Sequence, residues 1–212
     1  MIGHDLMAWP PAPPTRLGSR RWGRKVLTDR ELIWHSEQSD PRLAAAMLWV
    51  AKEAAYKLAV KKGYPRKFRP KDFEVGGVES SKLKVQSCLG DWFGCLKMAP
   101  APGYLLAVVA ETEEELSRVA LRQRRIEDAT PSRRSTAVRE LLRELLAEKW
   151  PEQANGFRLL PNAAGVPEVW LGQKRWPVDV SLSHDGEWGS VALVLRIRNL
   201  VLSACTERSR SI

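Results

Sequence analysis

The spacing of apolar residues between Leu43 and Leu58 constrains this chain more than any other feature. Leu43, Met47, Val50, Ala54 and Leu58 recur at helical intervals, which predicts an amphipathic helix with that stripe against a core. Within it, Trp49-Val50-Ala51-Lys52-Glu53-Ala54-Ala55-Tyr56-Lys57 sets an acid between two bases. Glu53 and Lys57 are i,i+4 neighbours on the flank of the stripe, as are Lys52 and Tyr56. A carboxylate beside ammonium groups, half-shielded by an apolar seam, can hold a divalent metal or a phosphate and can move a proton. Alone, the pattern carries little weight, because most Glu–Lys pairs on helices are solvated surface charges.

The chain has 212 residues, 44% of them hydrophobic and 28% charged, which suits one large domain or two small ones. No apolar run approaches the ~20 residues that span a bilayer, and the start, MIGHDLMAWP, lacks the basic region and apolar core of a secretion signal. Cys88, Cys95 and Cys205 include no C-x-x-C spacing, which argues against a zinc site or a disulfide framework and points to the cytoplasm. A net charge of +9 should steer an anionic partner toward the surface: nucleic acid, a phosphorylated cofactor or an acidic protein.

Residues 1–8 read as a strand, and the prolines from Trp9 to Pro14 exclude a helix there. A basic segment follows with Arg16, Arg20, Arg21, Arg24, Lys25 and Arg30. Thr28 and Glu31 form a capping box, and Pro41 opens the helix that runs to Gly63. Strands are expected near 72–79, 82–89, 92–98 and 104–110. The charged stretch 113–135 reads as a linker, helical in its first part. A helix over 136–150 then precedes strands near 156–160, 166–171, 177–183 and 188–197. Both parts thus read as helix plus strands, so the expectation is an α+β fold of two pseudo-duplicated helix-plus-antiparallel-sheet halves, 1–112 and 136–198, packed as an intramolecular pseudo-dimer. A flexible tail is expected at 199–212.

Two further patterns join the helix: Gly3-His4-Asp5 at the end of the first strand, and Val180-Ser181-Leu182-Ser183-His184 before an Asp185-Gly186 turn. In this order, Gly3-x-Asp5, Trp49-x-x-Lys52-Glu53-Ala54-x-x-Lys57 and Ser181-x-Ser183-His184 resemble the motifs of the 4′-phosphopantetheinyl transferase superfamily, which includes the holo-acyl-carrier-protein synthases. Phe68-x-Pro70-x-x-Phe73-x-Val75 adds to the similarity, which covers about 1–75 and 160–195.

The resemblance implies a Mg²⁺-dependent transfer of the phosphopantetheine arm of coenzyme A to a serine of an apo acyl or peptidyl carrier protein, releasing 3′,5′-ADP. It implies Asp5 and Glu53 as metal ligands, Glu53 as the base, Lys57 as a phosphate donor and Lys52 as its assistant. Ser183 and a cationic His184 are implied to grip the 3′-phosphate of coenzyme A, and Lys61 is expected to be dispensable. A monomer is expected, with its site in the cleft between the halves. Met7 and Ala8 stand where members often carry a second acid, and Val166 replaces the lysine of a G-K-P turn, with Arg158 and Lys174 as candidates to compensate. Two other readings remain: a degenerate member that binds coenzyme A or carrier protein without turnover, and a basic nucleic-acid-binding protein with nine tryptophans available for stacking.

Overall fold

The computed structural model describes residues 1–10, 17–76, 82–85, 92–127 and 130–196. Arg16, the proline run beyond residue 10, the 86–89 end of one expected strand and the tail at 199–212 lie outside them.

The first part opens with β1 (Ile2–Ala8), followed by α1 (Arg20–Val26) and α2 (Asp29–Ser36). Thr28 and Glu31 form the expected capping box at the start of α2. Next comes α3 (Pro41–Lys61), started by the Asp40 carboxylate accepting from the Arg42 and Leu43 N–H groups, each at 3.0 Å. Pro41 occupies the first turn, where no N–H is needed. The strands β2 (Phe73–Val75), β3 (Lys82–Val85), β4 (Trp92–Ala101) and β5 (Tyr104–Ala110) complete an antiparallel sheet in the order β1-β5-β4-β3-β2.

Gly3 fixes how α3 meets this sheet. A Cβ on it would lie 2.0 Å from the Ala54 carbonyl oxygen and 2.6 Å from the Leu58 nitrogen, so only glycine lets β1 lie against the helix backbone. Strand periodicity then turns Asp5, two residues on, toward the same helix. The glycine and the acid of G-x-D therefore serve one contact.

The second part contains α4 (Glu113–Ser117), β6 (Ala120–Arg125), α5 (Pro131–Lys149), β7 (Phe157–Pro161), β8 (Pro167–Leu171), β9 (Lys174–Arg175), β10 (Val178–Asp185) and β11 (Trp188–Leu195). Its strands form two antiparallel sheets, β10-β11-β6 and β7-β8-β9. The α5 seam of Val138, Leu141, Leu142, Leu145 and Leu146 packs on β10 and β11. The chain is α+β.

The segment expected as a linker is corrected by the structure. After the short helix α4, residues 120–125 form an edge strand on β11. Their charge conceals the strand pattern, because Arg122 and Arg124 are paired across the surface with Glu148 and Glu144 of α5.

The two parts are joined by an unusual seam. β1 is the outer strand of its sheet, and among the described residues no strand pairs with it on its free side. Its N–H groups are met instead by alternate side chains of β10. Ile2 N donates to Asp179 Oδ2 (2.6 Å), His4 N to Ser181 Oγ (3.1 Å), Leu6 N to Ser183 Oγ (3.1 Å) and Ala8 N to Asp185 Oδ2 (3.0 Å). Lys61 closes the seam from α3: its ammonium donates to Ile2 O (2.6 Å) and Val180 O (2.7 Å) and ion-pairs with Asp179 at 3.1 Å. Burial would raise Asp179, but Lys61, the Ile2 N–H and Arg196 outweigh it and hold the carboxyl below the ordinary range. The sequence-based expectation that Lys61 is dispensable is therefore corrected, since its side chain is only 5% exposed.

Lys61→Ala should cost about 3–5 kcal/mol of stability by leaving Asp179 buried without its partner. Ser181→Ala should cost about 1–3 kcal/mol by orphaning the His4 N–H. Chemical denaturation would measure both against Lys174→Ala, an exposed control expected within about 0.5 kcal/mol of wild type.

Candidate active site

A cleft of about 640 Å³ lies where β1 and α3 face β10, α5 and the β7–β8 hairpin. That volume suits a cofactor-sized ligand. On one wall, Glu53, Tyr56 and Lys57 project from successive turns of α3 beside Asp5 of β1. The opposite wall presents Ser135 and Arg139 of α5, Leu159 to Pro161, the Gly165-Val166-Pro167 turn, and Leu182 to His184.

Asp5, Lys57 and Ser183 converge from three distant segments. Asp5 Oδ1 accepts from Lys57 Nζ at 2.7 Å and from Ser183 Oγ at 2.6 Å, while Lys57 also donates to the Leu182 carbonyl at 3.2 Å. Among the described residues, neither Asp5 Oδ2 nor Glu53 makes a hydrogen bond or ion pair. Burial pushes the Glu53 carboxyl up to about 7, with the Asp5 charge adding to the rise and Lys57 opposing it. Two neighbouring carboxylates with unfilled oxygens, one of them reluctant to ionise, form the donor set a hard divalent cation would satisfy. Among the described residues they are the only two acids that line the cleft, and no group of three or more His, Cys, Asp or Glu there could hold a metal.

Lys52 does not join them, which corrects its expected role. Adjacent residues on a helix point about 100° apart, so Lys52 turns away from Glu53 into the core. There it is fully buried, ion-pairs with Glu31 at 2.8 Å, and donates to the carbonyls of Pro70 (2.9 Å) and Phe73. Burial lowers its pKa against the pull of Glu31. Glu31 in turn accepts from Thr28 N and Val75 N, so the pair ties α2, α3 and β2 together.

Ser183 is also committed. Its one proton goes to Asp5 and its oxygen accepts from Leu6 N, so its hydroxyl positions Asp5 and β1 and has no proton to offer a phosphate. His184 is exposed at the cleft, where partial desolvation and then the neighbouring Arg134 lower its pKa from the ordinary imidazole value, which works against the cationic form expected of it.

Arg134 was not legible in the sequence beyond its place in an arginine run. It sits in the first turn of α5, where Thr130 provides no side-chain cap, and its buried Nε has no hydrogen-bond partner. Arg158 and Lys174 do not line the cleft. Arg66 does, lying against Gly165 where a Cβ would come within 2.4 Å of its Nη1.

Fold and cleft together define an α+β protein whose carboxylate and lysine cluster faces a wall that carries Arg139 and His184, a site suited to a phosphorylated ligand and a hard metal. The chain belongs to the 4′-phosphopantetheinyl transferase superfamily, whose family model matches residues 1–109. Members of that family use coenzyme A as substrate and act on carrier proteins. Neither a curated protein nor a solved structure gives a significant match. Among the described residues, no helix is long and apolar enough to cross a membrane.

The raised Glu53 value has a pH signature. A carboxyl that binds its proton more tightly when folded stabilises the fold fully below the ordinary 4.5, and that contribution is lost as pH rises through about 7. Metal-free protein should therefore lose stability between about pH 4.5 and 7, and Glu53→Gln should flatten that slope in denaturation curves taken across the range. An unchanged slope would remove Glu53 as its source.

Proposed function

We propose that this protein transfers the 4′-phosphopantetheine arm of coenzyme A to a serine of an acidic apo carrier protein, as a Mg²⁺-dependent cytoplasmic monomer that releases 3′,5′-ADP. The observation that carries the reading is the meeting of Asp5, Glu53 and Lys57 at one end of a cleft in a chain of this superfamily. The two parts would act as pseudo-duplicated halves, the first supplying the acids and the second the nucleotide wall.

Asp5 Oδ2 and Glu53 would hold the Mg²⁺, which when bound supplies charge neutralisation at the pyrophosphate. Glu53 faces the cleft beside Asp5 and Lys57, where it would accept the proton of the attacking serine. The serine oxygen forms a bond to the phosphorus that bears the pantetheine arm. The bond from that phosphorus to the bridging oxygen breaks, and its electron pair leaves with 3′,5′-ADP. Lys57, held by Asp5 and the Leu182 carbonyl, offers its remaining donor to the phosphates. Ser183 acts by fixing Asp5.

Arg134, His184 and the first turn of α5 are suited to the 3′-phosphate. Its arrival would raise the His184 pKa and relieve the repulsion from Arg134.

Intact-mass spectrometry on a panel of apo carrier proteins with coenzyme A and Mg²⁺ tests the reading. A chelator-sensitive gain of one phosphopantetheine arm is expected, reduced about 10³-fold in rate by Glu53→Gln. Arg134→Ala should weaken coenzyme A binding in calorimetry while barely changing that of 3′-dephospho-coenzyme A. Coenzyme A binding with no product at any Mg²⁺ concentration would identify a binding-only member instead.

A further inference from the structure

One cation of the cleft has no counter-charge on the protein. Arg66, in the loop after α3, is exposed, lines the cleft, and makes no hydrogen bond or ion pair among the described residues. Its guanidinium nevertheless has a defined seat against Gly165 of the β7–β8 turn. A Cβ on that glycine would stand 2.4 Å from Nη1, 3.0 Å from Cζ and 3.2 Å from Nη2. Burial raises the pKa of the Tyr56 hydroxyl and the Arg66 charge opposes that rise, so the guanidinium also stands near this ring of α3. Arg66 therefore spans the cleft from the first part of the chain to the second.

The turn that receives it is held firmly. The Asn162 side-chain oxygen accepts from Ala164 N (2.9 Å) and Val166 N (3.0 Å), and the Asn162 carbonyl accepts from Gly165 N (2.7 Å). Between Asn162 and Pro167 the turn has no charged side chain of its own. Gly165 has φ 67°, and Gly172, in the next turn of the same sheet, has φ 60°. A Cβ on Gly172 would meet nothing within 4 Å. Backbone conformation is thus the one demand on Gly172, whereas at Gly165 the guanidinium also needs the space.

The neighbours of Arg66 select the anion. Tyr56 is next to Lys57 and three residues from Glu53 on α3, so the guanidinium serves the end of the cleft where the acids stand. Arg134 and His184 stand at α5 and β10 instead. A pyrophosphate has enough oxygens to meet a planar guanidinium fork, a lysine and a metal at once, which a single phosphate monoester does less well.

We propose that Arg66 binds the pyrophosphate of the cleft ligand together with Lys57, and that the bound anion bridges the loop after α3 to the β7–β8 turn. That the ligand is coenzyme A rests on the proposed transfer reaction; the seat of the guanidinium does not.

Calorimetry without any carrier protein tests this, with coenzyme A, 3′-dephospho-coenzyme A and ADP each titrated in Mg²⁺ into full-length wild type and variants checked for folding by circular dichroism. Arg66→Ala, a change at an exposed side chain, should weaken all three ligands alike by at least about tenfold. Gly165→Ala should also weaken all three, because its methyl displaces the guanidinium. Gly172→Ala has the same backbone demand without the guanidinium and should stay within about twofold of wild type. Adding Gly165→Ala to Arg66→Ala should cost no further affinity, since both remove one contact. Arg66→Ala within about twofold of wild type for every ligand would overturn the proposal, as would a loss confined to coenzyme A, which would put Arg66 on the 3′-phosphate. Wild type that binds none of the three would overturn both the proposal and the transfer reaction. Binding that depends on Arg66, with no transfer to any carrier, would refute the reaction and leave the role of Arg66 standing.

Discussion

The free edge of β1 is the constraint on which the rest of the structure depends. An outer strand must satisfy its N–H groups or leave them to solvent, and here they face another layer of protein. β10 solves this with side chains rather than with a ladder. Asp179, Ser181, Ser183 and Asp185 fall on one face of the strand at period two, matching the period of the donors on β1. This seam ties the first part of the chain to the second and fixes both walls of the cleft relative to each other.

The same seam sets the electrostatics of the site. Ser183 closes the ladder at Leu6 and gives its proton to Asp5, so the strand that joins the parts also orients an acid of the cleft. Lys57 and Lys61, one turn apart on α3, both reach across to β10, but they meet different surroundings. Lys61 is buried against Asp179, whereas Lys57 remains 28% exposed at the cleft, where a ligand can reach it. Among the described residues Glu53, on the same face as Lys57, has no hydrogen-bond or ion-pair partner, and burial raises its affinity for a proton.

Local signals made much of this legible. The capping box at Thr28, the proline at the start of α3 and the apolar run of β5 depend on neighbours within a few residues, and the structure has them where the sequence places them. G-x-D could be read as a motif, but the reason for its glycine lies in the Ala54 carbonyl half a domain away. Lys52 and Glu53 are adjacent in sequence and diverge in space, because helix rotation separates what the motif joins. β6 is hidden in the sequence because its arginines find their acids only in space, Arg122 and Arg124 on α5 and Arg125 at Glu187. The alternation Asp179-x-Ser181-x-Ser183-x-Asp185 is visible in the sequence, yet its partners lie 177 residues away.

The account centres on a site assembled within one chain, with its acids from the first part and its nucleotide wall from the second. Complementation tests this most directly. Glu53→Gln chains would be mixed with His184→Ala chains, and carrier modification followed at a coenzyme A concentration below the wild-type KM. A site built within each chain predicts that the mixture works no faster than the sum of the two variants alone. Recovery toward the wild-type rate would mean that one chain lends its wall to the acids of another, and would contradict the account.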